Sequence, residues 1–217
     1  MAFDYKKEEK EYYPKKEKIT IVKVKKMNFL AVFGEGDPNE PDGEYKKSIE
    51  LLYPVAYTLR MSYKTDYKIE NFFEYVVPPL EGFWWQDGIK GVDLNNKQKF
   101  KFISLLRLPD FITKKDYEWA IKKVTIKKKQ DFSKVKFFTY EEGLCVQSLH
   151  IGPYDEEFKT VEKMHKYLEE NNCQLDINDK RYHHEIYLSN PLKTKPEKLK
   201  TIIRHPIKKG AKNEKNN

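Results

Sequence analysis

The stretch of this sequence best suited to chemistry runs from Arg181 to Pro191, where a carboxylate stands among aromatic and imidazole side chains. Alternate residues of an extended chain share a face. One face of a strand here would carry His183, Glu185 and Tyr187, whereas the other would carry a mostly apolar set suited to packing under a helix: Tyr182, His184, Ile186 and Leu188. Glu185 is therefore the leading candidate for a perturbed carboxylate. The alternative is an edge strand with Glu185 in water or paired with a lysine.

The rest of the chain predicts strands and helices that would position this carboxylate. The expected strands are 19–33, 67–77, 82–86, 100–108, 135–140, 143–150, 181–189 and 199–204. The expected helices are 45–63, 114–127 and 154–170. Pro54 predicts a kink or a late start in the first helix, and Thr113 is a good N-cap for the second. The inward residues expected in the third are Phe158, Val161, Met164, His165 and Leu168.

The predicted order contains a repeat. Strand, turn, helix, strand, strand runs over about 19–108 (repeat 1) and again over about 135–206 (repeat 2), joined by a linker helix at about 114–127. Residues 1–18 form a charged arm, loose or partly docked, and residues 207–217 a polar tail. We predict an α+β fold of duplicated, pseudo-symmetric strand-helix-strand-strand modules, with an antiparallel sheet, helices on one face and a ligand groove between the halves.

The second strand of each predicted repeat carries a glutamate shortly before a Pro-Leu pair. Glu74 precedes Pro79-Leu80, and Glu185 precedes Pro191-Leu192. Glu74 would then correspond to Glu185. With it, Phe72 and Tyr75 become candidate groove residues, the alternative being ordinary sheet packing.

Composition and charge exclude several classes of protein. No apolar run approaches the ~20 residues that a membrane span needs, and the Lys-rich start lacks the apolar segment of a signal peptide, so we expect a cytoplasmic protein without a membrane partner. The two cysteines, Cys145 and Cys173, show no zinc or disulfide spacing. The net charge of +8 comes almost entirely from lysines interleaved with 34 acidic residues, a pattern that argues against specific nucleic-acid binding.

Three separated motifs resemble the stand-alone GyrI-like small-molecule-binding proteins. They run from Pro79 to Trp85, from Leu149 to Asp155 and from His183 to Pro191, the last continuing into Pro196 to Thr201. The similarity covers about residues 19–204. The resemblance implies a duplicated strand-helix-strand-strand fold and a cavity for an aromatic small molecule. Glu185 would lie at its base, with walls formed by Trp84, Trp85, Tyr154 and Tyr187.

The resemblance also implies a reaction. Members of this branch resemble hydrolases that open the strained cyclopropane of DNA-alkylating natural products and so detoxify them. Glu185 would deprotonate a water molecule, while Tyr154 or His183 would stabilise the developing oxygen anion. No cofactor is expected. Neighbouring strand residues diverge, so His183 and His184 do not predict a metal site.

Two other functions stay open at this point. The family includes multidrug-sensing domains in which a buried glutamate meets cationic aromatic ligands. The chain would then be a non-catalytic binder, with Glu185 as the countercharge. The family name implies a third function, inhibition of DNA gyrase by protein contact. The sequence leaves the oligomeric state open.

Overall fold

The structure is a computed structural model that describes residues 2–89 and 93–210, apart from the side chain of Leu94. The strands are β1 Thr20–Glu35, β2 Leu80–Trp85, β3 Lys101–Leu108, β4 Lys136–Ile151, β5 Cys173–Leu175, β6 His183–Tyr187 and β7 Lys200–Lys209. The α-helices are α1 Tyr5–Glu8, α2 Glu44–Arg60, α3 Lys114–Lys128 and α4 Phe158–Glu170. Short 3-10 segments lie at Ser62–Lys64, Leu94–Lys99, Tyr154–Glu156 and Pro196–Lys198. Among the described residues, no helix is long and apolar enough to cross a bilayer.

The strands form an antiparallel barrel. Their order is β4-β1-β3-β2-β6-β7, and β4 also pairs with β7, which closes the sheet on itself. The short strand β5 pairs with the end of β7. The predicted mixed α+β class with an antiparallel sheet is confirmed. Closure was not predicted, and it gives the sheet an inner face as well as an outer one.

The helices cover the outer face. Helices α2 and α3 pack on Leu30, Val32, Leu106 and Leu108, which point outward from β1 and β3. Helix α4 packs on Val146, Ile203 and Ile207. Thr113 caps α3 through a reciprocal capping box with Asp116, as its sequence predicts. Apolar residues at alternate positions of each strand therefore form two separate cores.

The N-terminal arm docks against the inner face rather than remaining loose. Tyr5, Tyr12 and Tyr13 are buried in the same cluster as Phe83 and Ile186. Three polar side chains inside the barrel also hold the arm: Arg204 Nη2 donates to the Tyr12 carbonyl (2.8 Å), Gln147 Nε2 donates to the Glu11 carbonyl (2.6 Å) and Arg107 pairs with Glu9. The face of β6 that bears Ile186 consequently lies under the arm, and the prediction that a helix covers it was wrong.

Other predicted elements also need correction. Residues 67–77 do not form a strand of the barrel. Asn71 has a positive φ of 55°, and only Tyr75 makes an isolated bridge, to Phe3. Helix α2 begins before Pro54 and continues through it, so a late start is excluded. The two strands predicted at 135–150 are one strand, β4, which passes through Gly143 at a φ of 72°. Strand β7 extends into the predicted tail, and residues 211–217 lie outside the described residues.

A buried ionic network crosses the barrel interior. His184 lies between two carboxylates, with Nδ1 3.1 Å from Glu142 and Nε2 3.0 Å from Glu81. Carboxylates only accept hydrogen bonds, so both ring nitrogens must carry protons. Arg204 Nη1 lies 3.2 Å from Glu142. Burial alone would raise the pKa of Glu142, but the charges of His184 and Arg204 outweigh it and hold that pKa at about 2. Two cations and two anions thus compensate one another.

This network generates a prediction for stability. Glu142→Gln should lower the free energy of unfolding at neutral pH by on the order of 3 kcal/mol, because two buried cations lose a countercharge. The folded-state pKa lies below the ordinary 4.5, so the stabilisation is present above pH 4.5 and is lost as the pH falls towards 2. Urea denaturation at neutral and acidic pH measures it. The exposed neighbour change Glu141→Gln is the control. An equal loss at both pH values would contradict the ionic explanation.

Candidate functional site

The outward face of β6 lies between α2 and α4 and carries the residues singled out by the sequence. His183 is buried, whereas Glu185 and Tyr187 are partly exposed on this face. His184 and Ile186 point into the barrel, as the alternation predicts. Strand β2 pairs with β6 so that Leu80 lies opposite Tyr187, Gly82 opposite Glu185 and Trp84 opposite His183. Two distant segments of the chain thus meet around one carboxylate.

Gly82 provides space that the site requires. The Trp84 indole N–H donates to the Tyr187 hydroxyl at 2.9 Å. A Cβ atom on residue 82 would lie 2.6 Å from Trp84 Nε1 and 3.1 Å from the Tyr187 hydroxyl. Any larger residue would therefore push this indole and phenol apart. A glycine opposite Glu185 lets two aromatic side chains close over the strand pair.

Three tyrosines from separate elements lie close to Glu185. Tyr45 belongs to α2, Tyr154 to the 3-10 turn before α4, and Tyr187 to β6, and all three are partly exposed. The rings of Tyr45 and Trp84 are 5.0 Å apart, and those of Tyr154 and Tyr187 are 5.8 Å apart. Burial raises the pKa of Tyr154 to about 12, and the pKa values of Tyr45 and Tyr187 are raised as well. These phenols therefore keep their protons and can act as hydrogen-bond donors at neutral pH.

A second carboxyl group, Glu157, lies beside Glu185. Burial, followed by the negative charge of Glu185, raises the pKa of Glu157 well above 4.5. Its Oε1 atom makes no hydrogen bond within the described part of the chain. Among the described residues, no lysine or arginine forms a salt bridge with either carboxyl group. A carboxyl group whose pKa is raised by burial and by a neighbouring carboxyl group is an arrangement used for acid-base chemistry.

Sequence reasoning missed Glu157, although a signal was present. The predicted inward stripe of the last helix began at Phe158, but this side chain is 50% exposed. The buried stripe instead includes Glu157, Met164 and Leu168, which follow the helical period. Counting back from Met164 by seven residues reaches Glu157. Glu157 directly follows two other acidic residues, Asp155 and Glu156, and such a run is typical of the exposed first turn of a helix.

His183 lies between Glu185 and His205 and contacts both. Its Nε2 lies 3.0 Å from Glu185 Oε1, and its Nδ1 lies 2.7 Å from Nε2 of His205 on β7. Both nitrogens are therefore engaged. The prediction that His183 could serve as the donor to a reacting oxygen does not fit this geometry, because its two nitrogens already pair with Glu185 and His205. The sequence did not predict His205 as a site residue.

The same three residues are spaced closely enough to hold a cation. Ligand atoms of Glu157, His183 and Glu185 all lie within 4.8 Å of one another. Because both His183 nitrogens already take part in hydrogen bonds, we interpret the group as a hydrogen-bonded acid-base cluster. The sequence predicts no cofactor for this chain, and we assign none.

Four predicted ligand-binding residues lie outside this cluster. Trp85 points to the opposite face, where its ring is 4.9 Å from that of Tyr182. This settles which of the two tryptophans faces Glu185, since neighbouring strand residues point in opposite directions. Phe72 and Tyr75 pack against Phe111, and Glu74 is exposed. They lie elsewhere because residues 67–77 do not join the sheet.

Comparison with protein families identifies the fold. Residues 17–208 match the GyrI-like small molecule binding domain, nearly the whole chain. The chain belongs to the GyrI-like family. Its resemblance to that family, inferred from three motifs, is confirmed.

Solved structures similar to this GyrI-like chain include two from Listeria innocua. One is described as a hydrolase and is 44% identical, with a TM-score of 0.86 and coverage of 95% of this chain and all of that one. Another, described as an uncharacterized conserved protein, is 45% identical with a TM-score of 0.89 and the same coverage. The C-terminal domain of EcmrR shares the fold at 12% identity, with a TM-score of 0.52 over 88% of this chain and 98% of that one. A search of the curated proteins found no match.

The close approach at Gly82 predicts the effect of adding a methyl group. Gly82→Ala should break the Trp84–Tyr187 hydrogen bond and lower the free energy of unfolding by about 1 to 3 kcal/mol, because the site is already filled. Urea denaturation measures the loss, and near-ultraviolet circular dichroism reports the displaced indole. Tyr187→Phe removes the same hydrogen bond without overfilling and should cost less. If the two variants are equally unstable, steric overlap is not the cause.

The raised pKa of Glu157 predicts a pH-dependent gain in stability. A raised folded-state pKa means that the native chain loses stability as the pH rises from 4.5 through the folded value. Glu157→Gln cannot ionise, so its stability relative to the natural chain should increase with pH over that interval. Denaturation at several pH values measures this difference, with the exposed change Glu162→Gln as the control. A difference independent of pH would show that Glu157 has an ordinary pKa.

Proposed function

We propose that this GyrI-like protein hydrolyses strained, electrophilic aromatic compounds, with Glu185 as the general base. The observation behind this proposal is the pair of carboxyl groups, Glu157 and Glu185, next to three partly exposed tyrosines, Tyr45, Tyr154 and Tyr187. The similarity to a Listeria innocua hydrolase over 95% of the chain supports a hydrolytic reaction. We extend the proposal to a cytoplasmic role in detoxifying cyclopropane-containing alkylators, which the resemblance of the sequence motifs implies.

The binding step uses the aromatic walls. Flat conjugated ligands stack favourably on aromatic side chains, with on the order of 1 kcal/mol per ring pair beyond the area buried. Tyr45, Trp84 and Tyr187 already contact one another, so the walls need little reorganisation. The substrate's carbonyl would lie near the phenol of Tyr154. A bound ligand would displace water from Glu185 and strengthen the electrostatic interactions around it.

The chemical step is the addition of water across a strained carbon-carbon bond. Glu185 removes a proton from water as the water oxygen forms a bond to the cyclopropane methylene. The ring bond breaks, and its electron pair passes through the conjugated system to the carbonyl oxygen. Glu157, protonated because of its raised pKa, or the Tyr154 hydroxyl donates a proton to that oxygen. The product is a ring-opened phenol, and the proton taken up by Glu185 returns through solvent to the group that donated one, Glu157 or Tyr154.

We also propose that the site lies at the junction of two related halves. Strand β1, helix α2 and strands β2 and β3 form one half, and β4, α4, β6 and β7 form the other. The halves correspond to the predicted repeats at about 19–108 and 135–206. Gly36 directly follows β1, and Gly152 directly follows β4. Matching these two glycines makes Gly82 the counterpart of Glu185 through the strand registers. Gly82, rather than Glu74, then occupies the equivalent place in the first half.

A second candidate function is binding without turnover. Two carboxyl groups inside an aromatic enclosure, with no lysine or arginine paired to them among the described residues, would attract an amphipathic aromatic cation. Glu185 would then serve as a countercharge in a multidrug-binding protein. Both functions require Glu185, and only the formation of product separates them.

Incubation with a cyclopropane-containing dienone alkylator tests the proposal. The ring-opened product should form with the natural chain, and Glu185→Gln should slow its formation by about 100- to 10,000-fold, the usual contribution of general-base catalysis. Mass spectrometry follows the product, and tryptophan fluorescence follows binding. Glu162→Gln, on the exposed side of α4, is the matched control.

The two functions give different results in this experiment. Saturable binding without product, weakened by Glu185→Gln, would reject the hydrolase and support the cation binder. Product formation at equal rates with and without the Glu185 carboxylate would reject the proposed base.

A further inference from the structure

A row of histidines extends from the site into the core between β7 and α4. Glu185 contacts His183, and His183 contacts His205, which is 2% exposed. The His165 ring on α4 follows, with its centroid 5.7 Å from that of His205. The proposed reaction uses only Glu185 from this row. A buried imidazole pair behind a catalytic carboxylate therefore needs its own explanation.

The hydrogen-bond partners determine where the protons lie. Glu185 is a carboxylate that accepts, so the proton at 3.0 Å belongs to His183 Nε2. His205 Nδ1 has no hydrogen-bond partner within the described residues, and unpaired acceptors are tolerated in protein interiors more often than unpaired N–H donors, so the proton of His205 lies on Nε2 and His183 Nδ1 accepts it. Nε2 of His205, 2.7 Å away, must then be the donor. His205 Nδ1 is left without a proton.

The surroundings of His205 agree with this assignment. Burial, together with the neighbouring His183 and His165, lowers the pKa of His205 well below its usual value, so this ring is neutral and carries a single proton. The reverse assignment would point a bare His183 nitrogen at a carboxylate oxygen.

We propose that His205 is a positioning residue that fixes the tautomer and orientation of His183, so that the His183 N–H stabilises negative charge on Glu185 rather than on Glu157. This inference rests on the proposed function for its consequence in catalysis. Glu157 and Glu185 are the same residue type in adjacent positions, and only Glu185 receives this N–H. The histidine pair thus decides which carboxyl group is the base and which holds the proton.

Nitrogen-15 NMR of the histidine rings tests the assignment without any substrate. The chain contains five histidines, few enough to assign with His183→Gln and His205→Gln variants. We expect the His183 and His205 rings each to carry a proton on Nε2 and none on Nδ1. A His183 ring protonated at Nδ1, or at both nitrogens, would overturn the proposal. This result does not depend on whether the protein is a hydrolase.

Two substitutions at His205 test the consequence for turnover. His205→Gln retains an N–H close to the position of Nε2, whereas His205→Leu fills the space without a donor. His205→Leu should lower kcat by on the order of 100-fold, because losing a group that fixes a catalytic tautomer is costly, while KM changes little. His205→Gln should recover most of the rate. Equal losses in both variants would show that only the shape of the ring matters, and no loss in His205→Leu would also overturn the proposal.

His165→Gln distinguishes positioning from proton passage along the whole row. Positioning requires only the His205 donor, so this variant should turn over substrate like the natural chain. A loss as large as that of His205→Leu would overturn the proposal in favour of a three-ring proton path. Thermal denaturation verifies that each variant folds. If His205→Leu does not fold, the His205→Gln rate and the ring spectra still decide. If the natural chain forms no product, the proposed function fails while the spectra continue to test the tautomer.

Discussion

The cost of burying charge governs both faces of strand β6. On the inner face, His184 and Arg204 compensate Glu81 and Glu142, so four buried charges sum to zero. On the outer face, Glu157 and Glu185 lie together without a lysine or arginine partner among the described residues. A buried carboxylate without a countercharge is unfavourable, so the protonated form of Glu157 is favoured and its pKa is raised. Strand β6 thus separates the inner charge network, which stabilises the fold, from the outer Glu157–Glu185 pair, which is suited to acid-base chemistry.

Closure of the barrel keeps these two environments apart. An open sheet with helices on one face would expose its other face to solvent. Pairing β4 with β7 encloses that face, and the arm with Tyr12 and Tyr13 packs against it. The enclosed network then anchors β6 and β7 from within. Glu185 and His205 alternate with network residues along these strands and point to the outer face.

The site combines elements that are far apart in sequence. Trp84 comes from β2, Tyr45 from α2, Glu157 from the start of α4, and Glu185 from β6. Gly82 allows the aromatic groups to close over the strand pair. The likeness to the Listeria innocua hydrolase extends over nearly the whole chain, whereas EcmrR, at 12% identity, shares only the fold. The same barrel therefore accommodates proteins of very different sequence.

The sequence by itself determined which residues of each strand share a face. A period of two placed His183, Glu185 and Tyr187 together, and the family motifs identified the GyrI-like fold, because both depend on local spacing along the chain. Only the tertiary structure decided that Trp84 rather than Trp85 joins them, since either face of β2 is aromatic and the choice follows from which face the helices cover. The tertiary structure also added Glu157, Tyr45 and His205 to the candidate site. It excluded Phe72, Glu74 and Tyr75 from that site. Those outcomes depend on strand register and barrel closure. Both arise from contacts between residues that can be more than a hundred positions apart, such as Leu80 and Tyr187, and such contacts produce no periodic pattern in the sequence.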